Sequence, residues 1–254
     1  MLCDADEKIE QTRHLREQWL AGLLSTDDNY DGNPACDAGA PAKPELVPFN
    51  QLPRRTVAGA KGHAAMMHAF AHIEFNAINI AWDAVSRFTQ LPTEFYDDWS
   101  RIADEEAYHF QLIRDYLRSL DYDYGSFPAH KGLWEMVQLT KHDVMVRMAL
   151  VPRVLEARGL DVTPDIIARF KHHQHHKAAE ILEIIYRDEI GHVEVGSKWF
   201  NYFCSQRGLD SEAVFAGLIA QYATDKIRKP FNYLAREQAG FSEKEMEYLN
   251  SCTK

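Results

Sequence analysis

The sequence has few cysteines, no long apolar runs and fewer basic than acidic residues. Its four cysteines, in 254 residues, lack the C-x-x-C spacing typical of thiolate metal sites, and no disulfide framework is indicated. No segment approaches about 18 uninterrupted apolar residues, and the charged N-terminus lacks the apolar stretch of a secretory signal. The net charge of −10 disfavours a broad grip on nucleic acid. We therefore expect a cytoplasmic protein that neither is exported nor spans a membrane.

Alternation of apolar and polar residues with a period of two is also missing, so the chain is predicted to be all-α. Helical spacing predicts an N-terminal helix and irregular arm over residues 1–60, a four-helix bundle over 61–207, and a short helix with a polar tail over 208–254. Gly159 is interpreted as the cap that ends the third bundle helix, and Pro164 as the first turn of the fourth. The individual helices are predicted over residues 5–24, 62–88, 93–120, 133–158, 163–207 and 211–222, and one break in the first two turns of the helix over 163–207 is left open.

Two bundle helices contain a glutamate followed three residues later by a histidine. These pairs are Glu106 with His109 and Glu189 with His192. Three residues is nearly one helical turn, so the carboxylate and the imidazole of each pair point the same way and can bind one metal ion together. A single such pair is expected by chance in a chain of this composition, so the pattern needs a second observation.

The other two bundle helices supply that observation, because each places one glutamate inside a strongly apolar run. Glu74 precedes Glu106 by 106 − 74 = 32 residues, and Glu156 precedes Glu189 by 189 − 156 = 33 residues. Two helical hairpins of equal register are therefore predicted. A carboxylate in such a run is costly to bury unless it binds a cation or a partner.

Packing the two hairpins face to face would give four carboxylates and two imidazoles around one centre. That is the ligand set of carboxylate-bridged di-iron or di-manganese sites. The carboxylates that bridge the metals stay undetermined, and a bundle whose buried acids and histidines simply pair with each other is the alternative. The predicted ligands are Glu74, Glu106, His109, Glu156, Glu189 and His192.

An acidic residue precedes the glutamate of each Glu-x-x-His pair. Glu105 and Asp188 occupy these positions. From there a carboxylate can accept a hydrogen bond from the far nitrogen of the ligand histidine on the opposite hairpin, which fixes the tautomer of that histidine. We predict this role for both residues, and no catalytic residue beyond the metal ligands.

With glutamates on the first and third bundle helices and Glu-x-x-His on the second and fourth, the sequence resembles the ferritin-like superfamily. It is most similar to the bacterial family catalogued as domain of unknown function four-five-five, related to the tRNA-modifying di-iron hydroxylase MiaE. The similarity covers roughly residues 60–205 and leaves the N-terminal arm outside. It implies a ferritin-like antiparallel four-helix bundle, with extra N-terminal and C-terminal helices, that binds two iron ions or, alternatively, manganese.

The resemblance further implies an O₂-using oxidoreductase, either a monooxygenase or an oxidase. Its substrate would be a small molecule or a modified nucleoside, and the electron donor is not identified by the sequence. Two alternatives stay open: a ferroxidase or iron-handling protein, which needs a cage-forming oligomer, and a non-catalytic metal-binding helical bundle. A homodimer is a further expectation.

Other histidines and tyrosines are further candidates for site residues. His63 and His72 are predicted to pack in the core, because their offsets from Glu74 turn them away from its face. Tyr108 and Tyr186 adjoin ligands in sequence and could be redox-active phenols, although ordinary packing is the simpler interpretation. The histidines of one polar run could form a surface metal site or be a solvated helix start: His172, His173, His175 and His176.

Pro152 lies one helical turn before Glu156, inside the predicted third bundle helix. A proline there removes one backbone hydrogen bond and bends the helix axis. The bend could widen the bundle beside the metals for oxygen or substrate, or it could be a routine break between two short helices. A straight third helix would rule out the first idea.

Overall fold

The computed structural model describes residues 2–26, 39–52 and 55–253, and most of those residues are helical. The chain divides into two compact units. One comprises Met1–Trp134 and His172–Ile181, and the other comprises Glu135–Lys171 and Leu182–Lys254. No strand occurs among the described residues, where a single isolated bridge pairs Leu46 with Ala129. The all-α prediction is confirmed, and the three-part division of the sequence stays a prediction.

The first unit is built on two long helices joined by a short turn. The helices are α1 (Ala5–Leu20), α2 (Ala60–Arg87) and α3 (Thr93–Arg118). Helix α2 buries residues on nearly every side, as its almost uninterrupted apolar sequence predicts. Helix α1 ends at Leu20 instead of Leu24 because Gly22, at a φ of 67°, closes the helix C-terminus with left-handed backbone.

Helix α1 is attached to α2 and α3 by polar contacts that the sequence pattern did not reveal. The Lys8 ammonium is buried, donates to Asn79 Oδ1, and lies 4.1 Å from the centre of the Phe75 ring. Arg16 donates to the Asp97 carboxylate at 2.7 Å. The N-terminal helix is therefore an integral layer of the first unit.

The second unit contains more and shorter helices than predicted. A six-residue π-helical segment, called the π-segment below, covers Val151–Glu156 between α5 and α6. The α-helices that lie in this unit or enter it are α4 (Gly132–Leu139), α5 (Val144–Leu150), α6 (Ala157–His172), α7 (His176–Gln206), α8 (Ser211–Tyr222), α9 (Tyr233–Gln238) and α10 (Glu243–Ser251).

The prediction of one third bundle helix over residues 133–158 was wrong. Helix α4 ends at Leu139, and Asp143 begins α5 by accepting a hydrogen bond from the Met145 amide at 2.7 Å. Further along, the Ala157 amide donates to the Pro152 carbonyl five residues back, which is the π-helical pattern. The third helix is therefore not a straight α-helix, and a wider opening beside the metals stays a prediction.

The boundary predicted around Gly159 and Pro164 was also wrong, because both residues lie inside α6. Pro164 cannot donate to the Leu160 carbonyl four residues back. The side-chain amide of Asn232 donates to that carbonyl instead, at 3.2 Å. A contact from a distant segment thus stabilises a proline that the local sequence marks as a helix start.

The predicted polar tail contains two helices, α9 and α10. Asn232 caps α9, and Ser242 with Glu245 forms a capping box at the start of α10. The predicted short helix over residues 211–222 is confirmed as α8. None of the helices in the described ranges combines the length and apolarity that crossing a bilayer requires. The described cysteines Cys3, Cys204 and Cys252 are free thiols, and Cys36 lies outside the described residues.

Candidate metal centre

Helix α3 presents Glu106 and His109 on its buried face. The residues between Phe95 and Leu117 bury a stripe at helical spacing, and both candidate ligands belong to that stripe. Glu106 is 1% exposed and His109 is fully buried. The Glu-x-x-His pair of α3 therefore points into the interior of the first unit, as predicted.

Helix α2 brings Glu74 to the same place. Its carboxylate oxygen Oε2 lies 3.3 Å from His109 Nδ1, and the Glu106 oxygen Oε2 lies 3.4 Å from that same nitrogen. Ligand atoms of Glu74, Glu106 and His109 all lie within 4.8 Å of one another. The 32-residue offset read from the sequence thus places Glu74 level with Glu106.

The electrostatics of this group favour a cation. Burial raises the pKa of Glu74 well above its usual range, and repulsion from the Glu106 carboxylate raises it further. Within the described part of the chain, no hydrogen bond of good geometry reaches Glu74 Oε2. A divalent ion would supply the opposite charge that two adjacent buried carboxyl groups need.

The second unit carries the other predicted ligands. His192 Nδ1 lies 3.7 Å from Glu189 Oε1 on α7, a separation close to the 3.4 Å between the Glu106 carboxylate and His109 Nδ1 on α3. His192 is buried, and the Glu189 side chain is 14% exposed. Glu156 is half-buried and is the last residue of the π-segment. The structure thus puts three candidate ligands in each unit.

The donor set of the first unit fits a transition metal ion. Metal–nitrogen and metal–oxygen bonds of roughly 2.1 Å let one ion join donor atoms up to about 4 Å apart. Both distances from His109 Nδ1, 3.3 and 3.4 Å, lie within that reach. Carboxylate and imidazole without thiolate suit iron or manganese better than copper(I) or a structural zinc.

Glu105 and Asp188, the predicted hydrogen-bond acceptors for the ligand histidines, have arginine partners. Arg101 donates to both oxygens of Glu105 at 2.9 Å, one turn earlier on α3. Arg187 donates to Asp188 Oδ1 at 2.9 Å. Both carboxylates have further interactions, and the predicted contacts with ligand histidines stay predictions.

His63 and His72 pack in the core, as the sequence predicts. The Tyr116 hydroxyl lies 2.8 Å from His63 Nε2, and the His63 ring packs at a tilt against that of His175, with centroids 3.9 Å apart. His72 Nδ1 lies 2.9 Å from the Tyr124 hydroxyl. His175 thus belongs to a packed pair.

The remaining candidates lie on or near the surface. His172, His173 and His176 are exposed, and the surface metal site stays a prediction. Tyr186 accepts a hydrogen bond from Asn232 at 2.9 Å, which is ordinary packing, and Tyr108 is 45% exposed.

A groove of about 600 Å³ between α1 and α3 lies apart from the candidate ligands. Its lining consists mainly of charged side chains, and Arg114 crosses it to bond Asp6 at 2.6 Å. None of the six candidate ligands is among its lining residues.

One contact network next to a candidate ligand was missed from the sequence. Arg153 of the π-segment is buried and bonds Glu245 of α10 at 2.7 Å. The signal was an arginine inside the apolar run Val151–Leu155, together with the Ser-x-x-Glu spacing of residues 242–245. Neither signal alone identifies its partner, because 92 residues separate the two charges.

These features define an all-helical protein with a buried group of glutamate and histidine side chains that could hold a metal ion. The chain belongs to the family described as a protein of unknown function, DUF455, which it matches over residues 1–247. That match includes the N-terminal arm, which the similarity noted in the sequence left out. An uncharacterized protein of Haemophilus influenzae is 46% identical over 219 residues, which are 84% of this chain and 76% of the relative. No solved structure matches the chain.

Proposed function

We propose that this protein is a dinuclear metal carboxylate protein of the ferritin-like kind that uses two iron ions and O₂ to oxidise an organic substrate. Its ligands would be Glu74, Glu106, His109, Glu156, Glu189 and His192. Iron cycling between the ferrous and ferric states would supply electrons to O₂, and an external reductant would restore the ferrous state. Manganese is the alternative metal.

The observation that carries the proposal is the group formed by Glu74, Glu106 and His109. Their ligand atoms lie within 4.8 Å of one another, and all three side chains are buried. Two adjacent buried carboxyl groups are expensive without a cation, and such groups occur most often at functional sites. The matching geometry of Glu189 and His192 on α7 supports a second ion.

The protein's own residues would set the chemistry of the centre. Glu74 and Glu106 would each offer a carboxylate oxygen and negative charge to a bound ion, which a hard cation such as ferrous iron or manganese prefers. Burial of His109 and His192 keeps solvent from competing for the metals. The apolar surroundings of the site would also protect oxidising equivalents from loss to water.

The metal content of purified protein tests the proposal. Wild-type protein would be freed of metal, incubated anaerobically with ferrous iron and then exposed to air, with metal analysis and optical spectra recorded at each stage. We expect about two ions per chain and a near-ultraviolet absorption band that forms on oxidation. The Glu106→Ala, Glu189→Ala double variant should lose the bound ions and the absorption band.

A matched control is Glu94→Gln, which removes an exposed carboxylate from the first turn of α3. It should bind iron like the wild type. Folded wild-type protein that takes up neither iron nor manganese would refute the proposal. Iron uptake that proceeds to mineral in a cage-forming oligomer would instead favour an iron-handling protein.

A further inference from the structure

The π-segment has a backbone arrangement that its own sequence does not stabilise. A π-helical turn is rare and needs support from outside the helix, and here it ends at Glu156. The carboxylate direction of Glu156 depends on this register, because adding or removing one residue in a helix turns each following side chain by about 100°. Whatever fixes the π-segment therefore also fixes where Glu156 points.

Arg153, three residues before Glu156, joins the π-segment to the C-terminal helices. Its guanidinium donates to Ser197 Oγ of α7 at 3.0 Å and to Glu245 Oε2 of α10 at 2.7 Å. The Arg153 and Glu245 side chains are 0% and 4% exposed. Three aromatic rings surround the guanidinium within 5 Å of their centroids, those of Phe200, Phe215 and Phe241.

Glu245 is itself held in place by the capping box of α10. Its Oε2 accepts from the Ser242 amide at 2.9 Å, and its own amide donates to the Ser242 hydroxyl at 3.2 Å. A buried ion pair adds little net stability, because desolvation offsets most of its attraction. The more specific consequence of this pair is a fixed position for the π-segment.

Pro152 provides a second, uncharged contact of the same kind. A Cβ built on Gly196 of α7 would lie only 2.5 Å from Pro152 Cβ, so only glycine lets α7 come this close. The neighbouring residue Ser197 accepts the Arg153 hydrogen bond. Two consecutive residues of the π-segment are therefore held by two consecutive residues of α7.

We propose that Arg153, its partner Glu245 and the Pro152–Gly196 contact are positioning elements that hold Glu156 in the orientation needed to bind the second metal ion. This inference rests on the proposed function, since it takes Glu156 as a ligand. It gives the C-terminal helix α10 a role in metal binding although α10 carries none of the proposed ligands.

Cobalt(II) titration of metal-free protein tests this inference, with visible spectra to follow each ion. Glu245→Gln removes the charge opposite Arg153 but keeps the capping box, in which glutamine serves as well as glutamate. We expect this variant to bind the first ion like the wild type and the second at least tenfold more weakly. Gly196→Ala, which changes no charge, should give the same loss.

Two matched controls separate positioning from general damage. Lys244→Ala, also on α10, breaks an exposed ion pair between Lys244 and Glu212 of α8. Gly217→Ala adds a methyl group where nothing lies within 4 Å. Both should bind two cobalt ions with wild-type affinity and spectra.

The outcomes distinguish the two proposals. Folded Glu245→Gln and Gly196→Ala proteins that bind both ions like the wild type would overturn the positioning role and leave the metal centre standing. A wild type that binds fewer than two ions would overturn both. If both variants fail to fold, as judged by circular dichroism, the contacts serve folding and the positioning role is also overturned.

Discussion

Individual buried carboxyl groups in the first unit oppose folding when no metal is bound. Glu74 is 1% exposed, and both burial and Glu106 raise its pKa. Replacing a buried charged or titratable group by an apolar residue of similar volume often stabilises a protein. Ligand binding therefore explains a buried carboxyl group at this position better than a contribution to folding stability does.

We predict that Glu74→Met raises the stability of the metal-free protein by roughly 1–3 kcal/mol. Urea unfolding of metal-free wild type and variant would measure the difference. Manganese should stabilise the wild type and have no such effect on the variant. A metal-free variant clearly less stable than the wild type would argue that Glu74 has a structural partner.

The buried histidines of α2 should make the protein sensitive to acid. Burial lowers the pKa of His68 to about 4, with a further contribution from His72, and His68 Nε2 accepts a hydrogen bond from the Gly125 amide at 2.9 Å. The unfolded chain protonates this histidine near its ordinary pKa of 6.5. Between these two values the unfolded state binds more protons, so stability falls as the pH falls from 6.5 to 4.

We predict that His68→Gln makes this loss shallower, by up to about 1.4 kcal/mol for each pH unit. Glutamine keeps an acceptor for the Gly125 amide but does not titrate. Unfolding free energies of both proteins at several pH values between 4 and 7 measure the slopes. Equal slopes would show that His68 is not buried in its neutral form.

At the scale of elements, helix α1 depends on polar contacts more than on its apolar stripe. Asp97 of α3 accepts from Arg16 at 2.7 Å and from the Trp19 indole at 3.1 Å, and Arg16 lowers the pKa of this carboxyl group. Because the Asp97 side chain is about half exposed, its ion pair with Arg16 contributes only modestly to the free energy of unfolding.

We predict that Asp97→Ala loosens α1 without unfolding the rest of the first unit. Amides of α1 should exchange with deuterium severalfold faster, while those of α2 and α3 stay protected, because local stability varies across a fold. Glu94→Ala, which removes an exposed carboxylate from the first turn of α3, is the matched control and should leave the exchange of α1 unchanged. Faster exchange throughout α2 and α3 would contradict this local role.

The elements also show where sequence periodicity succeeds. Helices α2, α3 and α8 were predicted to within about three residues, because an apolar stripe or a proline start defines each of them locally. Helix α6 was not, since Pro164 is tolerated only through the Asn232 contact with Leu160. The capping box of α10 was visible as Ser-x-x-Glu and would have revealed that helix.

At the scale of the whole molecule, metal binding should raise the free energy of unfolding. An ion that binds only the folded protein stabilises it by about 2.7 kcal/mol at one hundred times its dissociation constant. We predict that manganese raises the melting temperature of the wild type by several degrees. Glu106→Ala and Glu189→Ala, tested singly, should each lose most of this increase, whereas Glu94→Gln should keep it. A single variant with the full increase would exclude that residue as a ligand.

The sequence by itself determined the helical class, the long helices and the residue types of the centre, because periodicity and Glu-x-x-His spacing are local properties. It also predicted that Glu74 lies level with Glu106, since a short turn fixes the register of two antiparallel helices. Only the tertiary structure revealed the π-segment, the continuation of α6 through Pro164 and the link from Arg153 to Glu245. Each of these depends on partners far apart in the chain, and local propensity carries no information about a carbonyl or a charge satisfied from such a distance.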